Sequence, residues 1–248
     1  AGSDTFNIDS GFDTISDLGG SDILVVSAGA TVSASGIDSF TATSDTDNNG
    51  TANLTTDNDG ATINMSASSG GAYTLTGGAG ADSLTGSSGV DTIYGVGGAD
   101  ILTGGAGNDI IVGGDGDDTI IVSNAGEGDG DSIDGGGGSD TLRLSTGSHT
   151  FSNDGRVQNV QILTLNNSGT QVTLTGQTEG LTITGGTGND VIIAGTGSDT
   201  INAGAGADSI TGAGGNDTID LGASDNQTDT IIMDLSDGLD LIKEFKAG

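Results

Sequence analysis

Residues 77–121 read GGAGADSLT GSSGVDTIY GVGGADILT GGAGNDIIV GGDGDDTII when cut every nine residues. Gly77, Gly86, Gly95, Gly104 and Gly113 fall on one ladder. Asp82, Asp91, Asp100, Asp109 and Asp118 form a second, and Leu84, Ile93, Leu102, Ile111 and Ile120 a third. Behind the first ladder, Gly78, Gly80, Gly89, Gly97, Gly105, Gly107, Gly114 and Gly116 fill the turns. Glycine at the first, second and fourth places supplies positive φ or otherwise strained backbone and leaves carbonyls and amides uncovered. The Asp in the sixth place adds a carboxylate, and an oxygen-only set of carboxylates and carbonyls suits a hard cation such as Ca²⁺, which takes about 6–8 ligands. The three residues after the ladder position of the turn have an apolar centre, the length of one short strand pointing one side chain inward. Alternating turn and strand predicts a flattened solenoid.

These nonads resemble the RTX (repeats-in-toxin) family, whose repeat GGxGxDxUx, with U apolar, is a Ca²⁺-binding unit. The resemblance implies a right-handed parallel β-roll with two nonads per coil and calcium between turns stacked on the same side. Ligand partners are then 18 residues apart, pairing Asp82 with Asp100, Asp91 with Asp109, and Asp100 with Asp118. A second block, GGTGNDVII AGTGSDTIN AGAGADSIT GAGGNDTID from Gly185, pairs Asp190 with Asp208 and Asp199 with Asp217. Its turn glycines are Gly185, Gly186, Gly188, Gly195, Gly197, Gly204, Gly206, Gly212 and Gly214. Asp131 and Asp140 continue the first block, and Asp229 the second. Ala194 and Ala203 replace the first glycine, and Ser87, Val96 and Ala213 the second. Side chains tolerate positive φ less well than glycine, so weaker binding is expected at those turns.

Composition agrees with several bound Ca²⁺ ions. The 248 residues include 35 acids against four bases, Arg143, Arg156, Lys243 and Lys246, with 49 Gly and no Pro, Cys or Trp. A net charge of −31 with few aromatics ordinarily marks disorder. Here it describes the calcium-free state, in which like charges on stacked turns repel until a cation neutralises them. So acidic a chain is unsuited to nucleic acid, which needs clustered Lys and Arg. No apolar run reaches the ~18 residues of a membrane span, so no membrane insertion is expected. The absence of Cys fits an exported protein stabilised by metal, although no signal-peptide pattern opens the sequence.

The same skeleton recurs outside the two blocks. Asp4, Asp13 and Asp22 are nine apart and are followed two residues later by Phe6, Ile15 and Leu24. Over 27–76 the Gly-Asp turns disappear, yet Leu54 to Ile63 and Leu75 to Leu84 keep the nine-residue step. Leu165, Leu174, Ile183, Ile192, Ile201, Ile210 and Ile219 are all nine apart, with Leu163, Val172 and Leu181 where a ligand Asp would stand. The expected organisation is therefore partial RTX-like turns at 1–26, calcium-poor coils at 27–76, a first RTX block at 77–143, calcium-poor coils at 144–184, and a second block with its end region at 185–248. A β-sandwich inserted at 27–76 and 141–184 is the alternative, since alternating patterns suit either. GGSDILVVSAGATVS at 19–33 recurs as GGSDTLRLSTGSHTF at 137–151, so the chain reads as a duplication without a linker, finishing in the phase in which it starts.

No enzyme is expected. His149 is the single histidine and reads as a surface residue, with no Cys, HExxH or GxSxG to accompany it. RTX repeats occur in secreted bacterial toxins, enzymes, adhesins and surface-layer or filament subunits. The resemblance implies type I export and an extracellular or cell-surface location. The first functional expectation is a calcium-binding structural protein that self-associates into a surface layer or filament, with a cell-surface polysaccharide or lipopolysaccharide as its anchor. The alternative is a calcium-dependent folding and secretion segment of a larger toxin, enzyme or adhesin. Tyr94, Ile110 and Val112 are outward positions of the first block, against Thr200, Asn202, Thr218 and Asp220 in the second, which marks the first block's face as the contact surface.

Overall fold

A computed structural model of the chain describes residues 3–68, 70–123, 130–153, 155–222, 227–233 and 238–243. Every regular element among them is a strand. In the nonad runs 77–121 and 185–220 each apolar ladder position lies in a short strand between residues facing outward, and the described strands pair only in parallel, as the nonad pattern requires. The chain divides into two compact units, one of residues 1–121 and 130–140, the other of 122–129 and 141–248.

In the first unit, Phe12–Ile15, Thr31–Ile37, Thr51–Thr56, Tyr73–Thr76, Thr92–Gly97, Ile110–Asp115 and Ser132–Gly137 stack as successive parallel neighbours. The facing wall is made by Ser39–Thr41, Thr62–Asn64, Ser83–Thr85, Ile101–Thr103 and Thr119–Val122. A smaller parallel set joins Thr5–Ile8, Ile23–Val26 and Asp47–Asn48. The second unit repeats the plan. One wall runs from Thr141–Leu144 through Ile162–Leu165, Thr182–Thr184, Thr200–Asn202 and Thr218–Asp220 to Leu241–Lys243. The other runs from Gly147–Thr150 through Thr170–Thr173, Val191–Ile193 and Ser209–Thr211 to Thr230–Ile232.

Residues 27–76 are coils of the same solenoid, since Thr31–Ile37 and Thr51–Thr56 pair in register between strands of the repeat pattern; the sandwich alternative is excluded there. The same holds at 144–184, where Leu163 pairs with Leu142 and Ile183, and Val172 with Ile192. Within the unbroken nonad runs 77–121 and 185–220 partners are 18 apart, as in Leu84 with Leu102 and Ile201 with Ile219. Elsewhere the interval lengthens, with Ala52 against Tyr73 and Phe40 against Ile63, while the ladder stays in register.

The core is the apolar ladder. Leu54, Ile63, Leu75, Leu84, Ile93, Leu102, Ile111 and Ile120 are buried, as are Leu165, Leu174, Ile183, Ile192, Ile201, Ile210 and Ile219. Each fully buried Leu or Ile contributes roughly 1.5–3 kcal/mol. Leu181 is buried in the ligand column, its amide donating to Asp199 Oδ1, so an apolar residue replaces the carboxylate there, whereas Leu163 and Val172, expected at ligand places, stand in the core column opposite Ile183 and Ile192. His149 departs from its expected surface place. It is fully buried, pairs with Val172 in the core ladder, and its Nε2 lies 3.0 Å from the Ser145 carbonyl. Its position two residues beyond the ligand column, where Val172 and Ile192 follow it, decides this over its polarity.

Candidate metal centres

The sixth residue of each Gly-Asp turn closes the turn and joins it to the one beneath. Asp100 Oδ1 accepts the amide of Asp82 at 2.8 Å, Asp109 that of Asp91 at 2.8 Å, and Asp118 that of Asp100 at 2.8 Å. Asp208 and Asp217 do the same for Asp190 and Asp199, each at 2.8 Å. The five pairs inferred from the 18-residue spacing are therefore neighbours in the stacks. The column continues past the regular spacing: Asp131 accepts from Asp109 at 2.8 Å, Asp140 from Asp118 at 2.9 Å, and Asp229 from Asp208 at 3.1 Å. All these acceptors except Asp229 are buried.

Two members of the columns stand outside the residues singled out as ligands. Asp240 accepts the Asp217 amide at 3.0 Å, and Asp22 accepts that of Asp4 at 2.9 Å. Their signal was an Asp followed two residues later by an apolar residue, Ile242 or Leu24, without glycine at the first and second places of the turn.

The second carboxylate oxygen points to a different need. Oδ2 of Asp100, Asp118 and Asp199 is buried and accepts no hydrogen bond. A carboxylate buried this way is costly unless compensated. Burial accordingly pushes Asp100 and Asp199 up to about 6, against partial relief from backbone amides, and the neighbouring Asp carboxylates in the column push in the same direction. Asp118 and Asp140 are raised for the same first reason. Among the described residues no three His, Cys, Asp or Glu side chains gather at one point. A cation here must therefore take part of its shell from main-chain carbonyls, as Ca²⁺ readily does.

Glycine makes that backbone accessible in two ways. The first-place glycines do not adopt left-handed φ, contrary to the expectation for that place; they provide room. A Cβ on Gly95 would run into Asp100 Oδ2 and the carbonyl oxygen of Gly113, so carboxylate and carbonyl oxygens both crowd onto the bare α-carbon. Left-handed φ belongs to the second and fourth places, as in Gly105 at +103° and Gly107 at +134°. It occurs in turns 95–100, 104–109, 113–118, 135–140, 203–208 and 212–217, with Val96 at +81° and Ala213 at +62° adopting it without being glycine. In the two turns with Val96 and Ala213 the fourth place is Gly98 and Gly215, at +111° and +119°, whereas Gly97 and Gly214 hold the third place.

Turns 77–82, 86–91, 185–190 and 194–199 have ordinary φ throughout. In these the second-place amide turns inward onto its own carboxylate. Gly78 donates to Asp82 Oδ2 at 2.8 Å, Ser87 to Asp91 at 2.6 Å, and Gly186 to Asp190 at 2.9 Å. The Gly195 amide also lowers the Asp199 pKa, although it does not reach Oδ2 in hydrogen-bonding geometry.

The sequence model of the RTX calcium-binding nonapeptide repeat, built of four copies, matches residues 1–32, 69–102, 94–123, 125–148, 184–219 and 193–227. These segments span more than half of the chain. None of the curated proteins matches it.

Proposed function

Because the chain belongs to the RTX calcium-binding nonapeptide repeat family, and so binds several Ca²⁺ ions on a structural fold, we propose that it is a non-enzymatic extracellular protein that self-associates at the bacterial surface once calcium has folded it. The family is typically one of secreted proteins. The ions sit between stacked turns, held by the Asp columns and by turn carbonyls. Calcium supplies the positive charge that offsets buried carboxylates such as Asp100 and Asp118. The chain's own residues do the rest: first-place glycines leave room, amides orient one carboxylate oxygen, and the apolar ladder fixes the spacing.

The observation that favours assembly is one sheet face of the first unit. Tyr94 pairs with Val112, and Ile110 with Thr92, so that Tyr94, Val96, Ile110 and Val112 share a face. Tyr94 is 39% exposed, Ile110 46% and Val96 51%. Adjacent β-branched and aromatic side chains on an open sheet mark an association surface. In the second unit the pairs Thr200 with Thr218 and Asn202 with Asp220 are polar. Electron microscopy with sedimentation, in millimolar calcium and after chelation, tests this. Assemblies are expected in calcium, reduced in a Tyr94→Ser, Ile110→Thr double variant. Monodisperse monomers of the unmutated protein in calcium would overturn self-association and favour a folding and secretion segment of a larger secreted protein.

A further inference from the structure

Turns 77–82 and 104–109 read GGAGAD and GGAGND, with glycine at the same three places, yet only the second takes left-handed φ. Glycine content therefore does not choose the conformation; the turn beneath does. Every turn with left-handed second and fourth places rests on another Gly-Asp turn. Thus a Cβ on Gly105 would meet the Ser87 carbonyl, and one on Gly116 the Gly98 carbonyl. Turns with ordinary φ rest on something else. Beneath Gly78 is the backbone of Asp57, beneath Gly89 that of Gly71, and beneath Gly186 that of Asn166. They are the bases of their columns.

At three bases both carboxylate oxygens are occupied by protein donors. Asp82 accepts from Ala61 at 2.7 Å and Gly78 at 2.8 Å. Asp190 accepts from Thr170 at 2.6 Å and Gly186 at 2.9 Å. Asp91 is the most fully engaged, accepting from the Tyr73 amide at 2.7 Å, the Ser87 amide at 2.6 Å and the Ser87 hydroxyl at 3.0 Å. Hydrogen bonds to the charged form are what a cation would otherwise provide. One turn higher, Asp100 is buried with Oδ2 unpartnered, and so is Asp118 above it.

We propose that these three base turns are calcium-independent starters. Asp82, Asp91 and Asp190 hold the chain in the geometry on which the next turn closes, and in the column of Asp82 the Oδ2 atoms that bind ions begin at the second turn, with Asp100; the fourth base, Asp199, has a buried Oδ2 that accepts no hydrogen bond and is not a starter of this kind. Ser87, in the place of a glycine, stands in for the ion at Asp91 with its amide and hydroxyl. The number of ions then falls short of the number of Gly-Asp turns. This rests on the calcium reading given above.

Ion counting by native mass spectrometry on the full chain, refolded in calcium and monitored by circular dichroism, tests the assignment. Asp91→Asn and Asp190→Asn, which retain an acceptor oxygen, are expected to carry the unmutated number of ions. Asp118→Asn and Asp100→Asn are expected to carry at least one fewer. Equal losses from base and stacked variants would overturn the proposal while leaving calcium binding intact. Failure of both base variants to fold in saturating calcium would also overturn it, since the charge would then be needed at the base. An unmutated chain that carries no calcium would instead remove the calcium reading itself.

Discussion

A single side chain can be in the wrong place for its own backbone and still be retained. Val96 has φ of +81°, a left-handed conformation that costs an L-residue about 1–2 kcal/mol, and its side chain is half exposed, so little packing offsets the strain. Val96→Gly is expected to lower the calcium concentration at the folding midpoint, equivalent to a gain of about 1 kcal/mol after the extra chain entropy of glycine. A calcium titration followed by far-ultraviolet circular dichroism reads this, and an unchanged or higher midpoint contradicts it. The carboxylates make a second expectation. Asp100 and Asp199 are raised from 3.8 to about 6, so the metal-free fold binds protons more tightly than the unfolded chain. The contribution of these two groups to its stability is thus fully present below about pH 4 and is lost as pH rises through about 6. In excess chelator the β-signal is expected to be small at neutral pH and partly regained on acidification to between these values. A full β-signal in chelator at neutral pH, or no gain on acidification, contradicts the coupling.

Strands of three or four residues are individually too short to persist, and here they survive because each continues a ladder. Ile192 is fully buried between Val172 and Ile210. Ile192→Ala is expected to cost about 2–5 kcal/mol by leaving a cavity, and in a stack where each coil touches only its neighbours the loss should stay local. Hydrogen exchange is expected to show faster exchange at Val172 and Ile210, with Ile93 and Ile111 unchanged; a uniform loss of protection contradicts local coupling. The ladders were the most legible part of the sequence, because a period of nine with one apolar residue fixed two places after each Asp leaves few folds open. Less legible was the conformation of each turn. GGAGAD at 77–82 and GGAGND at 104–109 look alike, and the difference lies in what they rest on, a relation that local spacing does not express. The chemistry of His149 points to the surface, yet at 149 the column outweighs the residue type and the ring is buried.

Within the first unit the coils share one register but differ in residue count. Leu84 to Leu102 takes 18 residues, whereas Ile111 to Ile133 takes 22 and Phe40 to Ile63 takes 23. The strand pairing stays in register all the same, so each of these strands advances the ladder by one step whatever the coil's length. Under tension, this becomes a mechanical signature. A chain drawn out between two handles should lengthen in discrete increments as coils peel away one by one, and at about 3.5 Å per extended residue an 18-residue coil releases roughly 60 Å and a 23-residue coil roughly 80 Å. Optical-tweezer traces in calcium are expected to show both step sizes, with the coils that carry stacked Asp turns yielding at the higher forces because those coils are held by ions. A single sweeping rupture would mean that the coils yield together.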